Sequence, residues 1–179
     1  MICKTAVVVG SAQCVFEDLA KLQALLPDRK DYIVFSVNFA SMLPIKPNYI
    51  VGMHGAYIDT YKNIACIKAE EFGWIKNFYT VSSFGHADYV YKDLGGDGTS
   101  GRFAVDVALK LRFKKILLCG VPIDGTDRFY GDIKHDYAPL INYKEWTEQD
   151  NSKVRSFSGN TKKLLGEPTE AWLTGGKNE

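Results

Sequence analysis

The sequence predicts a single α/β domain of the Rossmann-like class, built on a mostly parallel sheet with helices on both faces. Strand-like apolar runs alternate with helix-like segments, and this order favours parallel strands joined by helical crossovers. The runs are continuous, as in TAVVV at 5–9 and KKILLCGV at 114–121, which is typical of strands buried on both faces. The length of 179 residues corresponds to one domain. We expect the domain to span 1–173 and residues 174–179 to be a frayed tail.

The first half of the chain contains several strands and one clear helix. Gly10–Gln13 breaks the first strand, and a helix is predicted from about Val15 to Leu26. Its apolar side is formed by Phe16, Leu19, Leu22 and Leu25. The mixed composition of 57–76 indicates one or two short helices. Further strands are predicted at 32–38, 49–53, 78–82 and 88–91.

The second half repeats the pattern and then becomes polar and aromatic. A helix is predicted over Arg102–Arg112, because apolar residues recur there at helical spacing, and the strand at 114–121 follows it. A further helix is expected around 139–150. The C-terminal segment suggests a short strand, a helix that opens near Asn160, and a last turn after Pro168.

Composition argues against several classes of protein. Lys and Arg number 22 against 21 Asp and Glu, so no global positive field favours nucleic acid or an anionic membrane. No segment approaches the roughly 20 apolar residues of a membrane span. The four cysteines lack zinc-like spacing, and Cys119 lies in an apolar strand pattern that predicts a small buried side chain. We expect a reduced, cytoplasmic protein.

Ligands of open parallel sheets bind outside the carboxyl ends of the strands, so the residues after each strand are the candidate site. Gly10 and Ser11 lie in VVVGSAQ, where a strand runs through small residues into a helix. The exposed N–H groups and dipole of a helix N-terminus favour an anion. The alternative interpretation is an ordinary strand–helix turn.

The segment DGTSG, before the predicted helix over 102–112, is a second such turn. Thr99 or Ser100 can cap this helix and also offer a hydroxyl to a ligand. Gly101 and the neighbouring glycines let the backbone approach a ligand closely. Plain helix capping is the alternative. Gly120 ends the strand at 114–121 in the same manner.

Three further strand ends carry polar side chains. Asn38 can bind a base or ribose edge, or can simply close a turn. His54 either lines the cleft or is a structural histidine. Asp124 lies close to Asp127 and Asp132, but the loop lacks EF-hand spacing, so a solvated acidic loop is favoured and no metal ligand is predicted. Tyr130, in the same loop, could grip a nucleotide or cover the core.

His135, in YGDIKHDY, is the candidate general base, because a histidine titrates near neutral pH and this segment could fold over the cleft. Its neighbour Asp136 is not assigned to orient it. The hydroxyls of Ser156 and Ser158 lie near a predicted helix start, where a simple N-cap explains them. No G-x-S-x-G nucleophile motif occurs.

The segment TSGRFAVDVALKLRFKKILLCGVPID resembles the bacterial single-domain sialyltransferases. That family has a Thr-Ser-Gly helix start, a helix rich in small residues, and a strand ending in Gly-Ile-Asp. The resemblance covers roughly residues 5–54 and 97–130. A wider set of Rossmann-like proteins, including pterin pyrophosphokinase-like domains, has the same arrangement of strands and helices. The C-terminal segment also resembles that of small phage and prophage proteins. The family turn Gly-Asn-Gly-Pro-Ser is Gly-Ser-Ala-Gln-Cys here.

The resemblance implies a nucleotide-binding-like domain that takes a nucleotide-sugar donor of the CMP type. It implies that Ser11 and Asn38 lie at the nucleotide, and that Gly120 packs under the base or ribose. Thr99 and Ser100 would meet the sugar carboxylate or phosphate. Tyr130 would bind phosphate, and His135 would deprotonate the acceptor hydroxyl.

Three functional hypotheses follow from these features. The first is a glycosyltransferase that uses a nucleotide-sugar. The second is an accessory protein that binds a nucleotide without chemistry. The third is an interaction protein with an empty cleft. A small-molecule nucleotide partner is expected and a nucleic-acid partner is not, whereas the sequence leaves homo-oligomers open.

Overall fold

The computed structural model describes residues 5–94, 99–131, 146 and 152–175. These residues form one sheet of seven strands, in which every neighbouring pair is parallel. The strands are β1 (Thr5–Val9), β2 (Tyr32–Val37), β3 (Tyr49–Gly52), β4 (Tyr79–Ser82), β5 (Tyr89–Val90), β6 (Ile116–Cys119) and β7 (Val154–Ser156). Their order across the sheet is β5-β4-β3-β2-β1-β6-β7. The predicted Rossmann-like α/β class is therefore confirmed.

Five α-helices accompany the sheet in the described part of the chain. They are α1 (Val15–Leu25), α2 (Ile58–Glu71), α3 (Ser100–Lys110), α4 (Gly159–Leu165) and α5 (Glu170–Thr174). The segment 57–76 contains one long helix, α2, which follows a short 3-10 turn over Gly55–Tyr57. The helix expected around 139–150 falls outside the described residues, apart from Trp146. Gly175 closes α5 with left-handed backbone, and residues 176–179 are not described.

The two faces of the sheet bury separate apolar clusters. On one face, the side chains of α3 pack on β1, β2, β3 and β6. Trp146 and, from α4, Leu165 join this cluster, and their side chains are 0% and 3% exposed. On the other face, α1 packs on β1 and β6, and α2 packs on β3. Helices on both faces explain why the strand runs are apolar without alternation. Cys119 is fully buried in β6, as its sequence context predicts.

Helix α1 turns the predicted Leu19, Leu22 and Leu25 towards the sheet, and Phe16 alone departs from the predicted apolar side. Val15, Asp18 and Leu22 are its buried residues. Phe16, expected on the apolar side, is 54% exposed and makes an edge contact with the Phe129 ring. Asp18 lies on the buried side with the leucines, where its carboxylate accepts hydrogen bonds from the Gly120 N–H and from Ser158 Oγ.

The chain changes direction across the sheet at β1. From β1 it moves outward through β2 to β5, then returns through α3 to form β6 on the other side of β1. Strands β1 and β6 pair in register from Ala6 with Ile116 to Val9 with Cys119. Their carboxyl ends form the topological switch point, where doubly wound sheets bind ligands. No helix among the described residues is long and apolar enough to cross a membrane.

Candidate functional site

Gly10 and Gly120 meet at the switch point, directly after β1 and β6. The Gly10 N–H donates to Cys119 O at 2.8 Å. A Cβ added at Gly10 would lie 2.3 Å from the Gly120 carbonyl oxygen, and one added at Gly120 would lie 2.6 Å from Val15 Cβ. Gly120 also has a φ of 65°, in the left-handed region that favours glycine. Both glycines are therefore required by close packing between the two strand ends and α1.

Ser11 is held by the loop that follows β6. Arg128 Nη1 donates to Ser11 Oγ at 2.7 Å, and the Phe129 N–H donates to Ser11 O at 3.0 Å. The neighbouring N–H groups of Ala12 and Gln13 donate to Gly120 O at 3.3 Å and to Asp127 O at 2.8 Å. The loop thus occupies backbone donors that the sequence offered to an anion, and it brings the Arg128 cation to the same place.

Asn38 lies at the end of β2 with left-handed backbone, at a φ of 52°. Asparagine tolerates this region better than most residues. Its carbonyl accepts from Ser41 Oγ at 3.0 Å, which closes the turn. Its side-chain Oδ1 lies beside Gly52 at the end of β3, where an added Cβ would approach it to 3.2 Å. Asn38 therefore closes a turn and also lies, half-buried, at the carboxyl edge of the sheet.

The start of α3 lies over the ends of β3 and β6. Thr99 caps the helix, because its Oγ1 accepts from the Arg102 N–H at 3.2 Å. Ser100 Oγ accepts from the Met53 N–H at a long 3.5 Å. A Cβ added at Gly101 would lie 2.9 Å from a Val121 methyl group, so this glycine is needed for packing between α3 and the loop after β6.

Aromatic rings cover the end of β2. The Tyr130 ring lies 4.8 Å from the Phe39 ring, and Phe39 lies 5.1 Å from Tyr61 of α2 in an edge-to-face contact. Arg128 lies 5.9 Å from the centroid of the Tyr130 ring. Burial raises the pKa of the Tyr61 hydroxyl, and the neighbouring Tyr130 raises it further. The Tyr61 hydroxyl is therefore an uncharged donor at neutral pH.

Non-covalent contacts, together with bonds between neighbours in the chain, join most of these residues into one ring at the carboxyl edge of the sheet. The ring passes through Gly10, Ser11, Arg128, Tyr130, Phe39, Asn38, Gly52, Met53, Ser100, Gly101 and Val121, and Val121 returns to Gly10. It surrounds the ends of β6, β1, β2 and β3. The structure therefore brings together the predicted residues Gly10, Ser11, Asn38, Ser100, Gly101 and Tyr130 in this ring, with Gly120 and Thr99 beside them.

Asp124 lies outside this ring, on the side of α4. Its Oδ1 accepts from the backbone N–H and the hydroxyl of Thr126, and its Oδ2 lies 2.6 Å from the place of an added Cβ at Gly159. The preceding Ile123 has a φ of 51°, which is strained for a β-branched residue, and Asn160 Nδ2 donates to its carbonyl at 3.1 Å. These contacts hold the loop against α4.

The histidines hold different positions. His54 is exposed at the end of β3, 6.1 Å from the Phe84 ring. His135, the candidate general base, lies outside the described residues, as does Asp132. Within the described ranges, no three His, Cys, Asp or Glu side chains are grouped so that they could hold a metal ion.

Asp18 is a buried carboxylate that sequence reasoning missed. It is 1% exposed, and its Oδ2 accepts from the Gly120 N–H at 2.8 Å and from Ser158 Oγ at 2.7 Å. Its Oδ1 has no hydrogen-bond partner, and burial raises the pKa of the carboxyl. The available signal was the spacing of Val15, Asp18 and Leu22, which places an acid on an otherwise apolar helix side.

Arg128 and Phe39 were also missed. Arg128 lies in a loop whose acidic residues suggested a metal site. Its contact with Ser11 spans 117 positions in the chain, so no local pattern indicates it. The only signal for Phe39 in the sequence was its position directly after Asn38. Comparison of the chain with protein-family models, with curated proteins and with solved structures gave no match in any of the three.

Proposed function

We propose that the protein is a nucleotide-sugar-dependent glycosyltransferase that holds its donor at the carboxyl edge of the sheet. The observation that carries the proposal is the ring of contacts around the ends of β6, β1, β2 and β3. This ring lies beside the switch point, where sheets of this type bind nucleotides. It combines a cation, an amide, hydroxyls and aromatic rings, which are the groups that a nucleotide-sugar requires.

Each part of the donor has a proposed neighbour in the ring. The Asn38 amide is placed to hydrogen-bond the base or ribose. The resemblance implies that Gly120 packs under the base or ribose, and the two glycines Gly10 and Gly120 let the strand ends and α1 approach one another closely at this edge. Thr99 and Ser100, at the start of α3, offer hydroxyls and a helix N-terminus to the sugar carboxylate. Tyr130 offers its hydroxyl to the phosphate.

The proposed transfer needs one base and one stabilised leaving group. His135 takes the proton of the acceptor hydroxyl while the acceptor oxygen forms a bond to the anomeric carbon. The bond between that carbon and the phosphate oxygen breaks, and the nucleotide leaves with the electron pair. Positive charge and hydroxyl donors at the ring favour the charge that develops on the phosphate. The resemblance to the sialyltransferases supports this chemistry.

Ligand binding is the first test. Thermal shifts are measured with CMP, CDP, UDP, GDP, ADP and CMP-sialic acid, with and without magnesium or manganese. A ligand at 100 times its dissociation constant adds about 2.7 kcal/mol to the free energy of unfolding. We expect a shift selective for cytidine nucleotides. A shift with a different nucleotide alone would contradict the CMP-type donor and assign the site to that nucleotide. The absence of a shift with every ligand would contradict the proposal.

Turnover is the second test. His135→Ala is expected to abolish transfer from CMP-sialic acid to a sugar acceptor and to leave CMP binding largely intact. The matched controls are His54→Ala and His86→Ala, the other histidines of the chain, which should transfer at the rate of the native protein. Binding without any product in the native protein would favour the accessory nucleotide-binding protein over the enzyme.

A further inference from the structure

We propose that Arg128 is the phosphate-binding cation of this site and that it determines the preference for phosphorylated ligands. The inference rests on the proposed function for the identity of the nucleotide. The anion site itself depends only on the environment of the Arg128 guanidinium.

The charge of Arg128 is not neutralised within the described protein. Its guanidinium is partly buried, and its hydrogen bond to Ser11 Oγ at 2.7 Å joins it to a neutral hydroxyl. No carboxylate of a described residue forms an ion pair with it. Arg102, the other arginine near the ring, pairs with Asp106 at 2.9 Å. Among the described residues of this edge, Arg128 is therefore a cation whose charge is available to a ligand.

A partly buried cation without a carboxylate is costly, and an anion relieves that cost. Removing charge from water is unfavourable unless an opposite charge and hydrogen bonds replace the water. The Ser11 contact uses a small part of the donor capacity of a guanidinium, which can form parallel hydrogen bonds to phosphate oxygens. The site therefore gains most from a ligand with several anionic oxygens.

The surroundings hold the guanidinium in place for this role. Ser11 is 5% exposed and lies directly after β1, so the hydrogen-bond acceptor that orients Arg128 is itself fixed by the sheet. The backbone of Arg128 forms an antiparallel bridge with Ala12. The Tyr130 ring flanks the guanidinium at 5.9 Å. An ordered cation loses less conformational freedom when it binds a ligand, which favours affinity.

Hydroxyl donors complete the environment. Arg128 lies close enough to Tyr61 to lower the pKa of its hydroxyl, although burial and the neighbouring tyrosines dominate and raise it. The Tyr61 hydroxyl stays protonated at neutral pH, and the hydroxyls of Tyr61 and Tyr130 can donate to phosphate oxygens. One cation with neutral donors suits a phosphate group, because an uncharged sugar or base gains nothing from the charge.

The test separates the phosphate from the nucleoside. Dissociation constants of inorganic phosphate, cytidine and CMP are measured by calorimetry for the native protein and for Arg128→Gln, Arg128→Lys and Arg112→Gln. Arg112 is exposed after the far end of α3, so its variant loses the same charge away from the site. Far-UV circular dichroism and the melting temperature establish that each variant is folded.

We expect the native protein to bind CMP at least about tenfold more tightly than cytidine. Arg128→Gln should abolish this preference and the binding of inorganic phosphate, whereas Arg112→Gln should keep both. Arg128→Lys should keep part of the preference, because lysine retains the charge without the planar donor set. This variant also keeps the test decisive if the glutamine variant does not fold.

Three outcomes overturn the inference. They are an unchanged preference in Arg128→Gln, an equal loss of cytidine and CMP binding, and no saturable phosphate or CMP binding by the native protein. Equal loss would mean that Arg128 acts only on the fold through Ser11. Phosphate binding that depends on Arg128, without any nucleotide binding, would sustain the anion site while the proposed transferase function fails.

Discussion

Asp18 of α1 accepts a hydrogen bond through its Oδ2 from the backbone N–H of Gly120, at 2.8 Å. The same oxygen accepts from Ser158 Oγ at 2.7 Å. One buried carboxylate therefore connects the first helix to the end of β6 and to the residue before α4. These contacts fix the position of the switch point, on which the candidate site depends.

Asp18→Ala should lower the free energy of unfolding by about 2–3 kcal/mol, because it leaves the Gly120 N–H and the Ser158 hydroxyl without their acceptor. Asp18→Asn keeps an acceptor oxygen and should cost less. The measurement is urea unfolding followed by circular dichroism. Equal losses in the two variants would show that the hydrogen bonds to Oδ2 contribute little.

Titration of Asp18 should contribute to the change of the free energy of unfolding with pH. Burial raises the pKa of this carboxyl above its ordinary value of 3.8, so the folded protein holds the proton to higher pH than the unfolded chain. The contribution to stability is present below 3.8 and is lost as pH rises through the folded pKa. The melting temperature of the native protein should therefore fall relative to that of Asp18→Asn as pH rises through this window. A constant difference across it would contradict the assignment.

Gly10→Ala should be among the most damaging small substitutions in the sheet. The new Cβ would lie 2.3 Å from the Gly120 carbonyl oxygen, and the backbone of β6 cannot move without breaking its pairing with β1. We expect a loss of about 3 kcal/mol. The control is Gly73→Ala, where nothing lies within 4 Å and only the φ of 65° opposes the change, at about 1 kcal/mol. Similar losses at both positions would argue against the close approach.

Asn38 has a backbone role and a proposed ligand role, and two variants separate them. Asn38→Gly removes the amide and suits the φ of 52°, whereas Asn38→Ala removes the amide and adds backbone strain of about 1 kcal/mol. Both should weaken CMP binding by about tenfold or more, although only the alanine variant should lose stability. If CMP affinity falls only in the variant whose melting temperature falls, Asn38 has a purely structural role.

Cys119 should be inert in the folded protein. Its side chain is fully buried, and burial raises the pKa of its thiol well above the ordinary value, so the reactive thiolate is suppressed. Iodoacetamide at pH 8 should label Cys119 only as fast as the protein unfolds, and the half-buried Cys66 should react earlier. Mass spectrometry over a denaturant series measures both rates. Labelling of Cys119 at a rate independent of denaturant would contradict its burial.

The sequence by itself determined the class of fold and the places where its strands end. Continuous apolar runs identify strands covered on both faces, and helical spacing identifies α1 and α3, because both patterns are set by neighbours within a few residues. The same local signals selected Gly10, Asn38 and Ser100 as residues that follow strands or open helices. One segment was less clear, since tyrosines and lysines interrupt the apolar pattern of α2.

The tertiary structure decided which of these strand ends converge and which side chains complete the site. Arg128 reaches Ser11 across 117 positions, and Asp18 reaches Ser158 across 140 positions. No local pattern encodes such contacts, because they depend on strand order, on register and on the path of the loop after β6. The same path turns Asp124 towards α4, away from the ring that its place after β6 suggested. Local periodicity thus specified the elements, whereas their packing selected the charged groups that meet at the carboxyl edge.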